Sequence, residues 1–304
     1  MRKTFIKKLS ELAEINKNII LLTGDLGYGV FDEFEKKYPD QYINCGVAEQ
    51  NMIGVAAGMA YEGKKVFIYS IANFATFRCL EQIRNDICYH ELPVTIVSIG
   101  AGFSYGNLGY SHYAIEDLTI MRSLPGLRIL SPIDPISVSD SLELIMKDES
   151  PTYLRLGKDG EQNLNLDQKS EIEDLRIICP GENNLVLSTG SISLDVKIAI
   201  ENINNKMNKK VSFATITQLK PLKLDLEFLS KFKKIITVEE HSLQGGFGSI
   251  LNDFIIKNAL NIQVLNLGIE DKLHKYIGST EYMKKINKLD HESILKNILN
   301  FIEN

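Results

Sequence analysis

Runs of consecutive aliphatic residues alternate along the chain with amphipathic segments, a pattern typical of buried parallel strands connected by helices. The apolar runs that predict strands in the first half lie at 18–26, 64–72, 93–100 and 152–157. Amphipathic segments predict helices at Thr4–Glu14, Ala48–Tyr61, Phe74–His90 and Asp134–Lys147. We therefore predict an α/β fold whose first domain is built on a mostly parallel sheet.

The same alternation begins again after a polar stretch. Strands are predicted at 184–189, 211–219, 233–240 and 262–268, and helices from Ser193, from Gly248 and at 292–303. Residues 161–174 contain few bulky apolar side chains and are interpreted as a linker. The predicted organisation is a first domain over 1–160, the linker, and a smaller open α/β domain over 175–304.

Composition excludes several classes of function. The net charge is −5 and the chain has no extended basic tract, which argues against nucleic acid as a partner. The four cysteines form no C-x-x-C pair and the five histidines lack the spacing of metal ligands, so we expect reduced thiols, no metal site and a cytoplasmic protein. No apolar run approaches the ~20 residues of a membrane span, and the N-terminus lacks the pattern of a signal peptide.

Candidate chemistry clusters where predicted strands end, which is where open parallel sheets bind ligands. The candidates are Asp25, Glu49, the glycine-rich loop 100–112, Lys158 and the 239–241 group. Taken alone, each has a structural explanation; an acid in a first helical turn is usually a dipole partner worth ~0.3–1 kcal/mol. Gly54 and Gly58 make the helix that follows Glu49 unusually bare, which would allow close packing against a neighbour.

The order of these elements resembles that of a known family. The strings VAEQNMIGVAAGMAYEGKKVFIYSIANFATFRCLEQIRND and GYSHYAIEDLTIMRSLPGLRILSPID resemble the pyrimidine-binding half of transketolase-like, thiamine diphosphate-dependent enzymes. TVEEHSLQGGFGSIL resembles the beginning of their C-terminal domain. The resemblance covers nearly the whole chain and implies two α/β domains of these two types.

The resemblance also implies how the cofactor would be bound. Glu49 matches the catalytic glutamate that hydrogen-bonds the aminopyrimidine ring and so helps to activate the cofactor for attack on a carbonyl substrate. Phe74 and Phe77 match the aromatic residues that flank that ring. Asp25 and Leu26, after the first predicted strand, are expected to contact the cofactor as well.

Substrate-binding residues are implied in the same way. His112 matches a catalytic histidine that contacts the substrate near its reacting carbonyl. Arg78 and Lys158 match positions that bind substrate phosphate in some relatives, although Lys158 stands where arginine is usual and so lacks the bidentate fork. Two polar groups of many transketolases are missing: Leu108 replaces an aspartate and Gly100 a histidine. We therefore expect a different acceptor, such as a modified sugar.

The half of these enzymes that binds the diphosphate is absent from the chain. We therefore expect a partner subunit that carries the diphosphate site and the Mg²⁺ ligands, with no metal ligand on this chain. Because the relatives pair pyrimidine-binding halves across a two-fold axis, an α2β2 heterotetramer is the expected assembly.

The resemblance leaves alternatives open. The leading hypothesis is the C-terminal subunit of a split transketolase, active only with its partner. A β subunit of a 2-oxo acid dehydrogenase E1 component would share the architecture, and a 1-deoxyxylulose phosphate synthase-type condensation is conceivable. A non-catalytic assembly subunit is the alternative from another class.

Overall fold

The computed structural model describes residues 1–27, 29–158, 162–164, 172, 175–206 and 210–303. Within these residues the strands are β1 Ile19–Thr23, β2 Tyr42–Asn44, β3 Lys65–Ile71, β4 Val94–Ile99, β5 Arg128–Leu130, β6 Thr152–Leu156, β7 Arg176–Cys179, β8 Asn184–Ser188, β9 Ser212–Thr215, β10 Gln218–Lys220, β11 Lys234–Ser242 and β12 Gln263–Ile269. The α-helices are α1 Arg2–Ile15, α2 Asp32–Lys37, α3 Glu49–Tyr61, α4 Ala72–Thr76, α5 Leu80–Gln82, α6 Asp117–Arg122, α7 Pro135–Lys147, α8 Ser193–Lys206, α9 Leu226–Leu229, α10 Phe247–Lys257, α11 Thr280–Ile286 and α12 His291–Glu303.

The strands form two sheets, which confirms the predicted α/β class. The first has the order β10-β5-β6-β4-β3-β1-β2 and is parallel apart from β10. The second has the order β12-β11-β8-β9-β7 and is parallel apart from β7. Helices cover both faces of the first sheet, so its central strands are buried on both sides and read as continuous apolar runs.

Alternate residues of β1 serve the two faces of the first sheet. Ile20 and Leu22 pack on the side of α3, and Ile19 and Leu21 pack on the side of α1 and α7. The start of α7 is also readable from the sequence, because Asp134 forms a capping box with Ser137.

One predicted strand is divided between the sheets. The apolar run 211–219 is predicted as a single strand, but it forms β9 in the second sheet and β10 in the first. The carbonyl of Thr217 accepts a hydrogen bond from the amide of Ser131 at 2.8 Å, and β10 then pairs with β5. The second half of the chain thus supplies an edge strand to the first sheet. Most of the predicted linker 161–174 lies outside the described residues, and the domain boundaries stay a prediction.

A buried arginine joins the two halves of the chain. Arg155 of β6 donates to Asp117 Oδ2 at 2.7 Å and to the carbonyls of Ala114 at 2.8 Å and Glu240 at 3.1 Å. Burial acts to raise the pKa of Asp117, but Arg155 and His241 outweigh burial and hold that pKa below its usual value. The segment between β4 and α6 is therefore fixed against β11.

His241 is part of the same interface. Its Nε2 accepts a hydrogen bond from the amide of Leu118 at 3.1 Å, which leaves Nδ1 to donate to the carbonyl of Ser242 at 2.9 Å. Both contacts require the neutral imidazole, since a charged ring could not accept. Burial agrees with this geometry and lowers the pKa of His241 to about 4.

We predict that His241→Gln will weaken the loss of stability in acid. Unfolding returns the imidazole to its ordinary pKa of 6.5, so the unfolded chain binds the extra proton first and the free energy of unfolding falls as the pH drops from 6.5 towards 4. The change can reach about 3 kcal/mol for a shift of this size. Gln can still accept and donate at this position but does not titrate.

Chemical unfolding of both proteins between pH 4 and pH 7.5 tests this prediction, since their difference isolates His241 from other titrating groups. His90→Gln, at an exposed position, is the matched control and should reproduce the wild-type profile. An unchanged pH dependence in His241→Gln would contradict the assignment.

Candidate active site

Glu49 is a buried carboxylate at the beginning of a helix. It is the first residue of α3, and its side chain is 2% exposed. The turn after β1 lies beside it, because a Cβ added to Gly24 would be 3.6 Å from Glu49 Cγ. Arg78 Nη1 donates to Glu49 Oε2 at 2.6 Å. The helix N-terminus and Arg78 both favour a negative charge at this position.

The segment that carries Phe74 and Phe77 differs from its prediction. A continuous helix over Phe74–His90 is wrong: α4 is followed by a 3-10 turn at Phe77–Cys79, then by α5 and a π-helical turn at Ile83–Cys88. The thiol of Cys79 donates to the carbonyl of Phe74 at 3.3 Å. The apolar pattern reports which side is buried but not the spacing of backbone hydrogen bonds, so these changes of pitch are invisible in it.

Four of the predicted site residues lie in a contiguous line. The guanidinium of Arg78, already paired with Glu49, lies 4.7 Å from the centroid of the Phe74 ring. The Phe74 ring meets the imidazole of His112 edge-on, with centroids 5.4 Å apart. The structure therefore places Glu49, Arg78, Phe74 and His112 side by side, in that order.

A cavity of about 540 Å³ opens beside this line. Its lining residues are Asn73, Phe74, Phe77, Arg78, Tyr110, Ser111 and Glu116. Phe77 is 47% exposed, which is unusual for a phenylalanine in a monomeric protein. Two aromatic faces, a guanidinium and a carboxyl group thus converge on one open space.

Glu116 is a member of this wall that sequence reasoning does not single out. It lies in the SHYAIED stretch, but the resemblance assigns it no role. Its Oε1 accepts from the hydroxyl of Tyr110 at 3.4 Å. Burial, and then the charge of Asp117, raise the pKa of Glu116, so it can hold a proton more readily than an exposed acid.

Tyr105 extends the line to Lys158. The ammonium of Lys158 lies 5.2 Å from the centroid of the Tyr105 ring, and the rings of Tyr105 and His112 have centroids 6.4 Å apart. Sequence reasoning missed Tyr105. The available signal was an aromatic residue within a glycine-rich loop, which by itself does not distinguish a site residue from a packing residue.

Asp25 and Leu26 follow β1, next to Gly24 and hence close to Glu49. Asp25 is exposed, and its conformation is fixed by Asn44, whose side chain accepts from the Asp25 amide at 3.0 Å and donates to the Asp25 carboxylate at 3.1 Å. These residues border the Glu49 end of the line.

The 239–241 group does not belong to this site. Glu239 accepts hydrogen bonds from the amides of Phe247 at 2.6 Å and Gly248 at 2.8 Å, at the start of α10, and burial raises its pKa to about 7. Glu240 accepts from the amide of Phe103 at 2.7 Å. Because all three side chains are buried between the two halves of the chain, their position at a strand end serves the interface.

No group of three or more His, Cys, Asp or Glu side chains that could hold a metal ion occurs in the part of the chain that the structure describes. The same residues include no helix that is both long and apolar enough to cross a membrane.

Comparison with known proteins places the whole arrangement. Residues 1–161 match the family described as transketolase, pyrimidine binding domain, and residues 173–294 match transketolase, C-terminal domain. A Methanocaldococcus jannaschii protein, provisionally named as a transketolase C-terminal section, is 35% identical over 98% of this chain and 95% of its own length. The second of the two subunits of an apulose-4-phosphate transketolase, from Phocaeicola vulgatus, is 30% identical over 99% of this chain and 97% of its own.

Longer relatives and solved structures agree. The 1-deoxy-D-xylulose-5-phosphate synthase of Clostridium perfringens is 28% identical over 98% of this chain, but only 49% of its own length is matched. A structure described as a split gene transketolase in an inactive β4 tetramer superposes with a TM-score of 0.86 at 28% identity, covering 98% of this chain and 96% of that one. The fold of Campylobacter jejuni transketolase gives 0.82 at 15% identity, covering 98% of this chain and 46% of that one. The chain therefore belongs to the transketolase family, and it corresponds to the C-terminal section that carries the pyrimidine-binding and C-terminal domains.

Proposed function

We propose that this chain is the C-terminal subunit of a two-chain, thiamine diphosphate-dependent transketolase that transfers a two-carbon ketol unit between sugar or sugar phosphate substrates. The observation that carries the proposal is the buried carboxylate of Glu49, joined through Arg78 to an open cavity with two aromatic walls. The family to which the chain belongs supports the same cofactor.

The residues present fit the pyrimidine half of that cofactor. Phe74 and Phe77 offer apolar faces to a planar heterocycle, and Glu49 offers a carboxylate that accepts a hydrogen bond from a ring nitrogen. Asp25 and Leu26 border the same end. When bound, the cofactor supplies a nucleophilic carbon and an electron sink for C–C bond cleavage. The role of Glu49 is to hold a proton at the edge of the pyrimidine ring.

His112, Arg78 and Lys158 would bind substrate. The imidazole of His112, held between aromatic rings, is available to hydrogen-bond the oxygen of a reacting carbonyl. The side chain of Arg78 is 44% exposed, so its guanidinium can exchange Glu49 for an anionic group of the substrate without crossing the protein interior. Lys158 would bind the distal phosphate as a point charge. The name of the Phocaeicola vulgatus relative supports a phosphorylated acceptor.

The diphosphate and Mg²⁺ would be bound by a partner subunit. The chain matches about half the length of the single-chain synthases, and the structure described as a split gene transketolase gives precedent for a divided enzyme. We propose an α2β2 heterotetramer located in the cytoplasm. The four free cysteines are compatible with that compartment.

We predict that Glu49→Gln will lower turnover by about a hundredfold or more, because an amide cannot hold or share the proton that general acid–base catalysis requires. The measurement is ketol transfer by the chain reconstituted with its N-terminal partner, thiamine diphosphate and Mg²⁺. Glu62→Gln, exposed at the other end of α3, is the matched control and should retain full activity.

The same reconstituted pair separates the alternatives. Normal turnover by Glu49→Gln would leave an assembly role as the better account. Transfer of an acyl group to a lipoyl domain, without ketol transfer to an aldehyde, would instead assign the chain to a 2-oxo acid dehydrogenase.

The exposed face of α3 supports self-association. The buried face uses Met52, Ile53 and Ala56, whereas a Cβ added to Gly54 or Gly58 would meet no described atom within 4 Å. The bare glycines therefore are not explained by packing within the described chain. Close by in sequence, Val47 and Tyr61 are 74% and 73% exposed. An apolar face with room for close backbone approach fits a second polypeptide.

We predict that Gly54→Ala will stabilise the isolated fold but weaken assembly. Alanine favours an exposed helix interior by about 0.5–1 kcal/mol over glycine, while its methyl group intrudes on a closely packed partner. Chemical unfolding measures the first effect, and sedimentation velocity with the partner subunit measures the second. Asn205→Ala, exposed on α8, should leave assembly unchanged. An equally stable complex with Gly54→Ala would exclude this face from the interface.

A further inference from the structure

Tyr105 occupies the space that a side chain at position 100 would need. The backbone of Gly100 has φ +98°, and an added Cβ would lie 2.4 Å from two carbons of the Tyr105 ring. Both the left-handed conformation and the ring thus exclude a larger residue. The polar group that is missing at Gly100 relative to many transketolases is replaced here by an aromatic ring from the same loop.

The sheet brings Tyr105 and Lys158 together. Strands β4 and β6 are neighbours, and the amide of Gly100, just after β4, donates to the carbonyl of Leu156 at the end of β6 at 2.9 Å. Lys158 follows two residues later. Its ammonium therefore meets the face of the Tyr105 ring at the carboxyl edge of the sheet.

The C-terminal domain fixes the residue next to Tyr105. The carbonyl of Gly106 accepts hydrogen bonds from the amide of Gly278 and the hydroxyl of Tyr113, each at 3.2 Å. A Cβ on Gly106 would lie 2.7 Å from the carbonyl oxygen of Gly278, so the two backbones are in close contact. The ring of Tyr105 thus projects from an anchored part of the loop.

Lys158 has a competing environment on its other side. It also lines a cavity of about 840 Å³ whose acidic wall includes Asp195, Glu240 and Glu281. A lysine side chain is flexible, and carboxylates would attract its ammonium away from the line that leads to Glu49. A cation–π contact with Tyr105 opposes that attraction.

We propose that Tyr105 is a positioning residue: it restrains the ammonium of Lys158 at a fixed separation from His112, and glycine at position 100 makes room for it. The inference rests on the proposed function, in which Lys158 binds the anionic end of the acceptor. Tyr105 would then take the place of a direct polar contact from residue 100 and leave Lys158 as the cation at that end.

The geometry can be tested on the isolated chain without any reaction. Lysines are reductively ¹³C-methylated, and the Lys158 resonance is identified by its loss in Lys158→Arg. We expect a ring-current displacement of this resonance in the wild type and in Tyr105→Phe, which keeps an aromatic face, and its disappearance in Tyr105→Leu. Tyr89→Leu, at an 81% exposed tyrosine elsewhere on the surface, is the matched control and should resemble the wild type.

Titration with inorganic phosphate then tests the consequence for anion binding. The Lys158 resonance should respond to phosphate, with a Kd about threefold to fivefold weaker in Tyr105→Leu than in the wild type, as expected for the loss of one exposed cation–π contact. An undisplaced Lys158 resonance in the wild type, equal Kd values in the two proteins, or no response to phosphate would each overturn the inference.

Failure of the proposed function would be recognised separately. If the reconstituted wild-type pair transfers no ketol unit, transketolase activity is excluded while the Lys158 resonance still reports on Tyr105. If the pair is active, Tyr105→Leu should raise KM for ribose 5-phosphate while kcat changes less than about twofold, and Tyr105→Phe should restore KM. An unchanged KM in Tyr105→Leu would overturn the inference and leave the function intact.

Discussion

The buried charge of Arg155 is the constraint on which the rest of the structure depends. A guanidinium in the interior must be neutralised and fully hydrogen-bonded, and removing one partner of such a pair typically costs ~3–5 kcal/mol. Arg155 meets this requirement with the carboxylate of Asp117, the carbonyl of Ala114 and the carbonyl of Glu240. These acceptors come from α6, from the segment before it and from β11, so one charge holds three parts of the chain together.

The candidate site inherits its geometry from that interface. The segment between β4 and α6 contains short 3-10 turns and carries Tyr105, Tyr110, His112 and Glu116. Few regular backbone hydrogen bonds are available to fix it, so its position depends on the contacts beneath it and on Gly278 of the C-terminal domain. Although the 540 Å³ cavity is lined by residues of the first domain, the C-terminal domain therefore helps to set its shape.

The surface is informative as well. The glycine face of α3 is open, Phe77 is exposed and the carboxylate of Glu49 faces a guanidinium that solvent can reach. Exposed apolar side chains and an unfilled helix face are costly unless something covers them. They are consistent with half of a site whose complement lies on another polypeptide, in keeping with the family to which the chain belongs.

The sequence by itself determined the α/β class and the residues that most merit testing, because buried strands read as apolar runs and because Glu49, Phe74 and His112 lie in a recognisable order. The tertiary structure decided the rest. Periodicity records which residues are buried, but it contains no information on which distant residues meet. The division of 211–219 between two sheets, the pairing of Arg155 with Asp117, and the contacts of Tyr105 with Gly100 and Lys158 all depend on strand order. Strands β4 and β6 are neighbours in the sheet although β5 and two helices lie between them in the chain, and no local pattern encodes that adjacency.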